Sequence, residues 1–238
     1  MALVAIGGAV SAIQPAWGDV DRRDVPTVSY HVTMTPFYEG DYEDALDEFL
    51  AEGRGAIKTA QSRWIDSICY HTMSGECYYH MGELPQALEH YTSALKLFVA
   101  YSDWMIRVKF PPAIRASNSG SFKRIPWNPQ TRQARLGSYP TSMLIGQGRI
   151  NNNEQVRRGG VVQQAVLFPV QVQEIVRCTC LALRRRTELM GPACKHAQLT
   201  DQVVAALQQR PGPPNHWSEA WVDIQLGLAL LAADKEPQ

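Results

Sequence analysis

Residues 64–100 read WIDSICYHTMSGECYYHMGELPQALEHYTSALKLFVA, and this stretch decides the fold. Trp64, Ile65, Ile68, Cys69, Met73 and Tyr78 recur at three- and four-residue spacing, which lines them along one stripe of a helix. Gly75 falls inside that helix, where glycine costs about 1 kcal/mol against alanine, so close approach of a neighbouring helix is the expected compensation. Met81-Gly82 ends it, because glycine supplies the left-handed backbone of a C-cap. Pro85 suits the first turn of a following helix, where a missing N–H costs nothing. Ala87, Leu88, Tyr91, Ala94, Leu95 and Phe98 form the facing stripe. The reading is two antiparallel helices joined by a tight turn.

Upstream the same signals recur. Gly40-Asp41-Tyr42 stands before Ala45-Leu46 and Phe49 as Gly82-Glu83-Leu84 stands before Ala87-Leu88 and Tyr91, each at an offset of 42 residues. Self-similarity at such a period is the mark of a helical solenoid. Gly75, Tyr78, Gly82, Ala87, Tyr91 and Ala94 fall at the spacing of the tetratricopeptide repeat, and the stretch resembles that family. The resemblance covers one repeat well and the preceding copy in part. It implies stacked helix pairs with a concave groove that takes an extended peptide or a partner helix. It also places His71, Ser74 and Tyr79 on the groove-lining helix. His71 and Ser74 depart from the bulky apolar residues the family prefers there. The 42-residue offset exceeds the family's roughly 34, so the helices are longer or the linker Gly53 to Ala60 is inserted.

Further along, Phe110-Pro111-Pro112 closes the hairpin region, and Ala113 to Pro140 reads as a long loop rich in Ser, Asn, Pro, Gly and Arg. Ser142 to Ile150 and Val161 to Phe168 are strand-biased runs that suit a small β-hairpin. Val170 to Met190 is helical, with Pro169 at its start and Gly191-Pro192 at its stop. Thr200 to Gln209 and Trp217 to Ala233 are two further helices. Leu226, Gly227 and Leu230 in the last resemble the opening helix of another tetratricopeptide repeat, which reads as part of a longer array or as a surface awaiting a partner. The expected architecture is mainly α: antiparallel hairpins over 26–110, an irregular basic insert with a β-hairpin over 111–168, and a helical region over 169–238 that ends in an incomplete repeat. A signal-like apolar segment occupies 1–18, where Ala16-Trp17-Gly18 has the small-x-small form of a cleavage site. That suggests export from a bacterial cell, while the missing basic start leaves a cytoplasmic location open. No apolar stretch reaches the ~20 residues of a membrane span.

Charge is neutral overall and uneven locally. Glu39 to Glu52 holds seven acidic residues and no basic one; Trp104 to Asn153 holds eight basic residues and no acidic one. Within the basic insert Phe110, Phe122, Trp127 and Tyr139 interleave with cations that include Lys123, Arg124, Arg132 and Arg135, a pattern that suits nucleic acid or another polyanion. A loop folded back on the acidic hairpin is the plainer account of it.

The remaining candidates for chemistry are weak. Cys178 and Cys180 lie two apart on one helix and point ~200° away from each other, so with Cys194 and His196 they make a poor zinc set. Cys69, His71, Cys77 and His80 interleave with the hairpin's packing positions and lack the orienting group a Cys–His nucleophile needs. An odd count of five cysteines at scattered spacing suggests no disulfide framework. Gly53-x-Gly55 before Lys58 lacks the ending of a phosphate loop and reads as a joint between helices. Arg184, Arg185 and Arg186 read as a solvated helix face. The expectation is therefore a protein-binding scaffold with no catalytic residue, cofactor or metal. An anion binder built on residues 104–153 stands second, and part of an enzyme whose catalytic domain is not recognisable stands third.

Overall fold

The computed structural model describes residues 24–59, 62–116, 137–146 and 167–235. The chain opens with three helices, α1 (Val28–Val32), α2 (Met34–Glu39) and α3 (Tyr42–Arg54). The decisive hairpin follows as α4 (Ser67–Met81) and α5 (Leu84–Ala100). After a 3-10 turn over Trp104–Arg107 and short strands come α6 (Val172–Met190), α7 (Gln198–Gln208) and α8 (Glu219–Ala232). The molecule is mainly helical, as its periodicities predict.

Both expected glycine bends form, and with the same hydrogen bonds. Gly40 has φ 95° and Gly82 has φ 82°, the left-handed region that a Cβ resists. At the second bend Gly82 donates to the Tyr79 carbonyl (3.1 Å) and Glu83 to that of Tyr78 (2.8 Å). At the first, Gly40 donates to Phe37 (3.3 Å) and Asp41 to Pro36 (2.9 Å). Each bend thus satisfies carbonyls that the helix end leaves open. Ala45 and Phe49 in one copy, and Ala87, Tyr91 and Ala94 in the other, are fully buried. Gly75 is the seat of the Tyr91 ring: a Cβ added there would lie 2.8 Å from Tyr91 Cε1. The two bends and the buried alanine and aromatic positions after them thus correspond, while the helix before the first bend has 6 residues and that before the second 15, and Gly75 leaves room for the Tyr91 ring.

The extra length of the repeat is a small β-hairpin. Strands β1 (Lys58–Thr59) and β2 (Ser62–Arg63) pair antiparallel between α3 and α4. The joint expected at Gly53-x-Gly55 is instead the packed end of α3, where a Cβ on Gly53 would sit 3.3 Å from Tyr70 Cβ. A second strand pair joins β3 (Arg115–Ala116) to β4 (Gly137–Ser138).

The expected hairpin of the insert is seen where it is described. Strand β5 (Met143–Gly146) pairs antiparallel with β6 (Leu167–Val170), and Ile145 faces Phe168. The partner run was expected over 161–168; residues 161–166 lie outside the described residues, and pairing extends to Val170. Pro169 belongs to this strand rather than to the start of α6, and its carbonyl accepts from Val25 N–H at 3.0 Å. Val25 and Val108 add single bridges to Val170 and Ile145, and Trp64 packs its ring 5.7 Å from Phe168.

Helix α4 shows why a one-sided stripe was too simple. Every residue from Ser67 to Cys77 except His71 is buried, because α3, α5 and α6 pack around it. Thr72 fits there because it bonds inward: its Oγ1 donates to the Cys178 carbonyl at 3.3 Å. Buried apolar side chains from Val25 to Ala233 join in one core, so the hairpins and the C-terminal helices are not separate units.

The arginine triplet on α6 departs most from expectation. Only Arg184 is a solvated residue, paired with Glu188 at 2.8 Å. Arg185 forks onto both oxygens of buried Glu76 (2.9 and 3.1 Å) and lies 4.0 Å over the Tyr79 ring. Arg186 is 6% exposed and donates to Thr200 Oγ1 at 2.9 Å. Rotation of ~100° per residue sends the three to different environments, although Arg185 also reaches Glu188 (2.9 Å), the partner of Arg184.

Candidate functional site

The face of α4 left open between α3 and α5 holds a cleft. Its larger part, about 370 Å³, is lined by Arg63, His71, Ser93, Lys96, Leu97, Ala100 and Tyr101. A narrower extension of about 80 Å³ reaches Ser67, Tyr70, Ser74 and His90 and shares Arg63 and His71. Three elements build it. Strand β2 delivers Arg63, whose guanidinium is anchored on the Gly53 carbonyl. Helix α4 contributes His71 one turn before Ser74 and Gly75. Helix α5 contributes Ser93, Lys96, Leu97 and Ala100 at three- and four-residue spacing, one side of that helix.

His71 and His90 form the middle of the cleft. Their Nδ1 atoms are 3.5 Å apart and their ring centroids 5.4 Å, so one Nδ1–H points at the other's lone pair. Burial lowers the His71 pKa to about 4, and neighbouring His90 and Arg63 push the same way. Burial also lowers His90, partly opposed by Glu89. Both rings are neutral at pH 7. Tyr78 closes the back of the pair, with its ring 5.3 Å from His90.

The lining has a definite chemistry. No Asp or Glu lines either part, while Arg63 and Lys96 bring two cations and the two imidazoles bring ring N–H groups. Leu97, Ala100 and the Tyr101 ring supply an apolar floor. Donors over a hydrophobic base suit an acidic, extended chain.

The expected groove residues are divided. His71 lines the cleft; Ser74 lines only its inner end and is 1% exposed; Tyr79 faces away, sandwiched against Arg185 on α6. Residues 71, 74 and 78 share one side of the helix, whereas 79 stands ~80–100° round from 71 and 78. Periodicity alone gave no reason to single out Arg63, His90, Ser93 and Lys96. The polar side of α5 was the available signal. Of the packing residues, Gly75 faces the Tyr91 ring, Gly82 makes the left-handed bend, and Ala87, Tyr91 and Ala94 are fully buried. Tyr78 is only partly buried: it packs against the edge of the core with its ring tilted 45° to His90.

The other candidates disperse. Cys69 and Cys77 are fully buried, and His80 stacks on Tyr42 at 4.9 Å. Cys194 bonds to Arg186 and Thr200. Among the described residues no three His, Cys, Asp or Glu side chains gather to hold a metal. Lys123, Arg124, Arg132 and Arg135 lie outside the described residues, as does segment 1–18. Where the insert is described, Phe110 and Tyr139 pack with Trp217 and Trp221 (5.4–6.2 Å), and the Pro111 carbonyl accepts from His216 Nε2–H (2.9 Å) and Trp217 Nε1–H (3.0 Å). Those insert aromatics therefore secure α8. Along α8 Ile224 and Leu231 are exposed, with open space at Gly227.

Among the described residues no helix is long and apolar enough to cross a membrane. No family model, no curated protein and no solved structure matches this chain.

Proposed function

We propose that the protein is an interaction scaffold of tetratricopeptide type that receives an extended, acidic segment of a partner protein in the cleft between α4 and α5. The observation behind this reading is the cleft's lining of two cations and two neutral imidazoles with no carboxylate. A peptide carboxylate would meet Arg63 as a fork and Lys96 as a point charge, and apolar side chains would rest on Leu97 and Tyr101. The two repeat copies and the rigid, enclosed α4 hold these groups in place before a ligand arrives, which lowers the ordering cost of binding.

The test is an immobilised array of peptides that differ in Asp and Glu content, probed with the full chain and with Lys96→Glu. Lys96 is exposed, so the change should leave thermal unfolding within a degree or two while weakening acidic spots roughly tenfold. Equal binding by both proteins would reject the reading. A nucleic-acid or polyanion partner held by insert residues 104–153 is the second reading, and the insert's interleaved cations and aromatics favour it. It predicts binding that falls steeply with salt and ignores Lys96.

A further inference from the structure

Helix α8 packs one face and leaves the other bare. Val222, Gln225, Ala229, Leu230 and Ala232 are buried, where the helix lies on α6 and α7. The outer face is exposed, yet it is not polar. It presents Ala220, Ile224, Gly227 and Leu231, with Ile224 56% and Leu231 72% exposed. At ~100° per residue these four fall within a ~60° arc, so they make one stripe along the helix. Asp223, at its side, is already paired with Arg210 at 2.8 Å. Single apolar residues scattered on a surface need no explanation, but an unbroken apolar stripe along a helix points to an interface.

The order of side chains says what covers it. The residues are spaced four, three and four apart, which is the seam of a helix pair. Along that seam the sizes run small, large, small, large. Turn a second copy of α8 antiparallel about a two-fold axis between Gln225 and Leu226. Ile224 of each copy then lies over Gly227 of the other, and Leu231 over Ala220. Every layer combines one large and one small side chain. Gly227 has room to receive the isoleucine, since a Cβ built there meets nothing within 4 Å. A parallel pairing would set Ile224 on Ile224 and Gly227 on Gly227, overfilling one layer and emptying the next. The antiparallel pairing also opposes the two helix dipoles. The stripe is complementary to itself, which is what an isologous two-fold interface requires.

We propose that α8 is a homodimer interface, in which two copies of this chain pair antiparallel through Ala220, Ile224, Gly227 and Leu231. Its size sets its strength. Helix α8 has 14 residues, a length of ~21 Å at ~1.5 Å per residue. Two such faces bury well under the roughly 1,600 Å² of a standard stable interface, so the dimer is weak and reversible. None of the four residues lines the α4–α5 cleft, so self-association and peptide binding are separable.

Sedimentation velocity of the full chain over roughly 5–500 µM tests it, with a monomer–dimer equilibrium expected on the order of 100 µM. Ile224 is exposed, so Ile224→Glu should leave circular dichroism and melting unchanged while weakening the dimer at least about tenfold. Exchanging the sizes is the sharper step. Gly227→Ile alone sets large on large and should weaken the dimer by about tenfold; adding Ile224→Ala restores large on small and should return it to within about threefold of wild type. Association through general stickiness runs the other way, with Gly227→Ile strengthening the dimer. That result would overturn the proposal. So would a dimer unmoved by Ile224→Glu, or a wild-type chain that stays monomeric at the top of the concentration range, which would assign the face to a different occupant.

Discussion

Replacing Gly75 by alanine separates the close-packing account from helix propensity alone. In an isolated helix the change is worth about 1 kcal/mol in favour of alanine. Here the new methyl would meet Tyr91 Cε1 at 2.8 Å and Cδ1 at 3.0 Å. The ring has nowhere to go: Tyr91 is fully buried, its hydroxyl donates to Glu76 Oε1 at 2.5 Å, and Glu76 is itself held by the Arg185 fork. Overpacking a site of this kind costs roughly 1–3 kcal/mol, which exceeds the propensity gain. Gly75→Ala should therefore destabilise the protein by about 1–2 kcal/mol, read as a melting temperature lower by about 2–8 °C for a chain of this size. Calorimetry of the single variant and of Gly75→Ala/Tyr91→Leu tests it. In the leucine background the ring is gone, and alanine should become neutral or stabilising by up to about 1 kcal/mol. A higher melting temperature for the single variant, with no coupling between the sites, would refute the idea that the ring is seated on the glycine.

Other consequences follow from groups buried beside the site. Glu76→Ala would leave Arg185 without its buried partner and Tyr91 without its acceptor, and urea titration should show a loss of about 3–5 kcal/mol. His71, lowered to about 4 from an ordinary 6.5, binds its proton more weakly folded than unfolded. Its neutral burial therefore makes stability fall by roughly 3 kcal/mol as pH drops from 6.5 to 4, and His71→Asn should flatten that slope. Asp66 runs the other way, since burial raises its carboxyl to about 6. It binds its proton more tightly folded, so its contribution is full below pH 3.8 and is lost as pH rises through 6. Asp66→Asn, with its amide oxygen still accepting from Ile57 N–H, should be the more stable protein at pH 8 by about 1–3 kcal/mol and lose that advantage by pH 4.

The sequence made the hairpin legible because its signals were local and consistent. Glycine at the bends, proline just after, and small and aromatic residues at matched spacing each have one structural use, and Gly40, Gly82, Ala45, Ala87, Phe49 and Tyr91 fill it. The enclosure of α4 was not legible, since what covers Ser67, Thr72, Ser74 and Glu76 comes from α3 and α6, remote in sequence. The arginine triplet misled for the same reason: Arg185 and Arg186 look solvated until their distant partners Glu76 and Thr200 are known. The cleft was half visible. His71 carried the sign of an unusual polar residue on a packed helix, whereas Arg63 arrives on a strand that interrupts the repeat, and Tyr79 was turned aside by its cation–π contact.

The central claim is that the α4–α5 cleft receives an acidic segment. It is tested most directly by amide and imidazole chemical shifts recorded while a Glu-rich extended peptide is titrated into the full chain. The account predicts saturable shifts centred on Arg63, His71, His90, Ser93 and Lys96, lost in Lys96→Glu. Shifts confined to the insert, to α8, or absent altogether would contradict it.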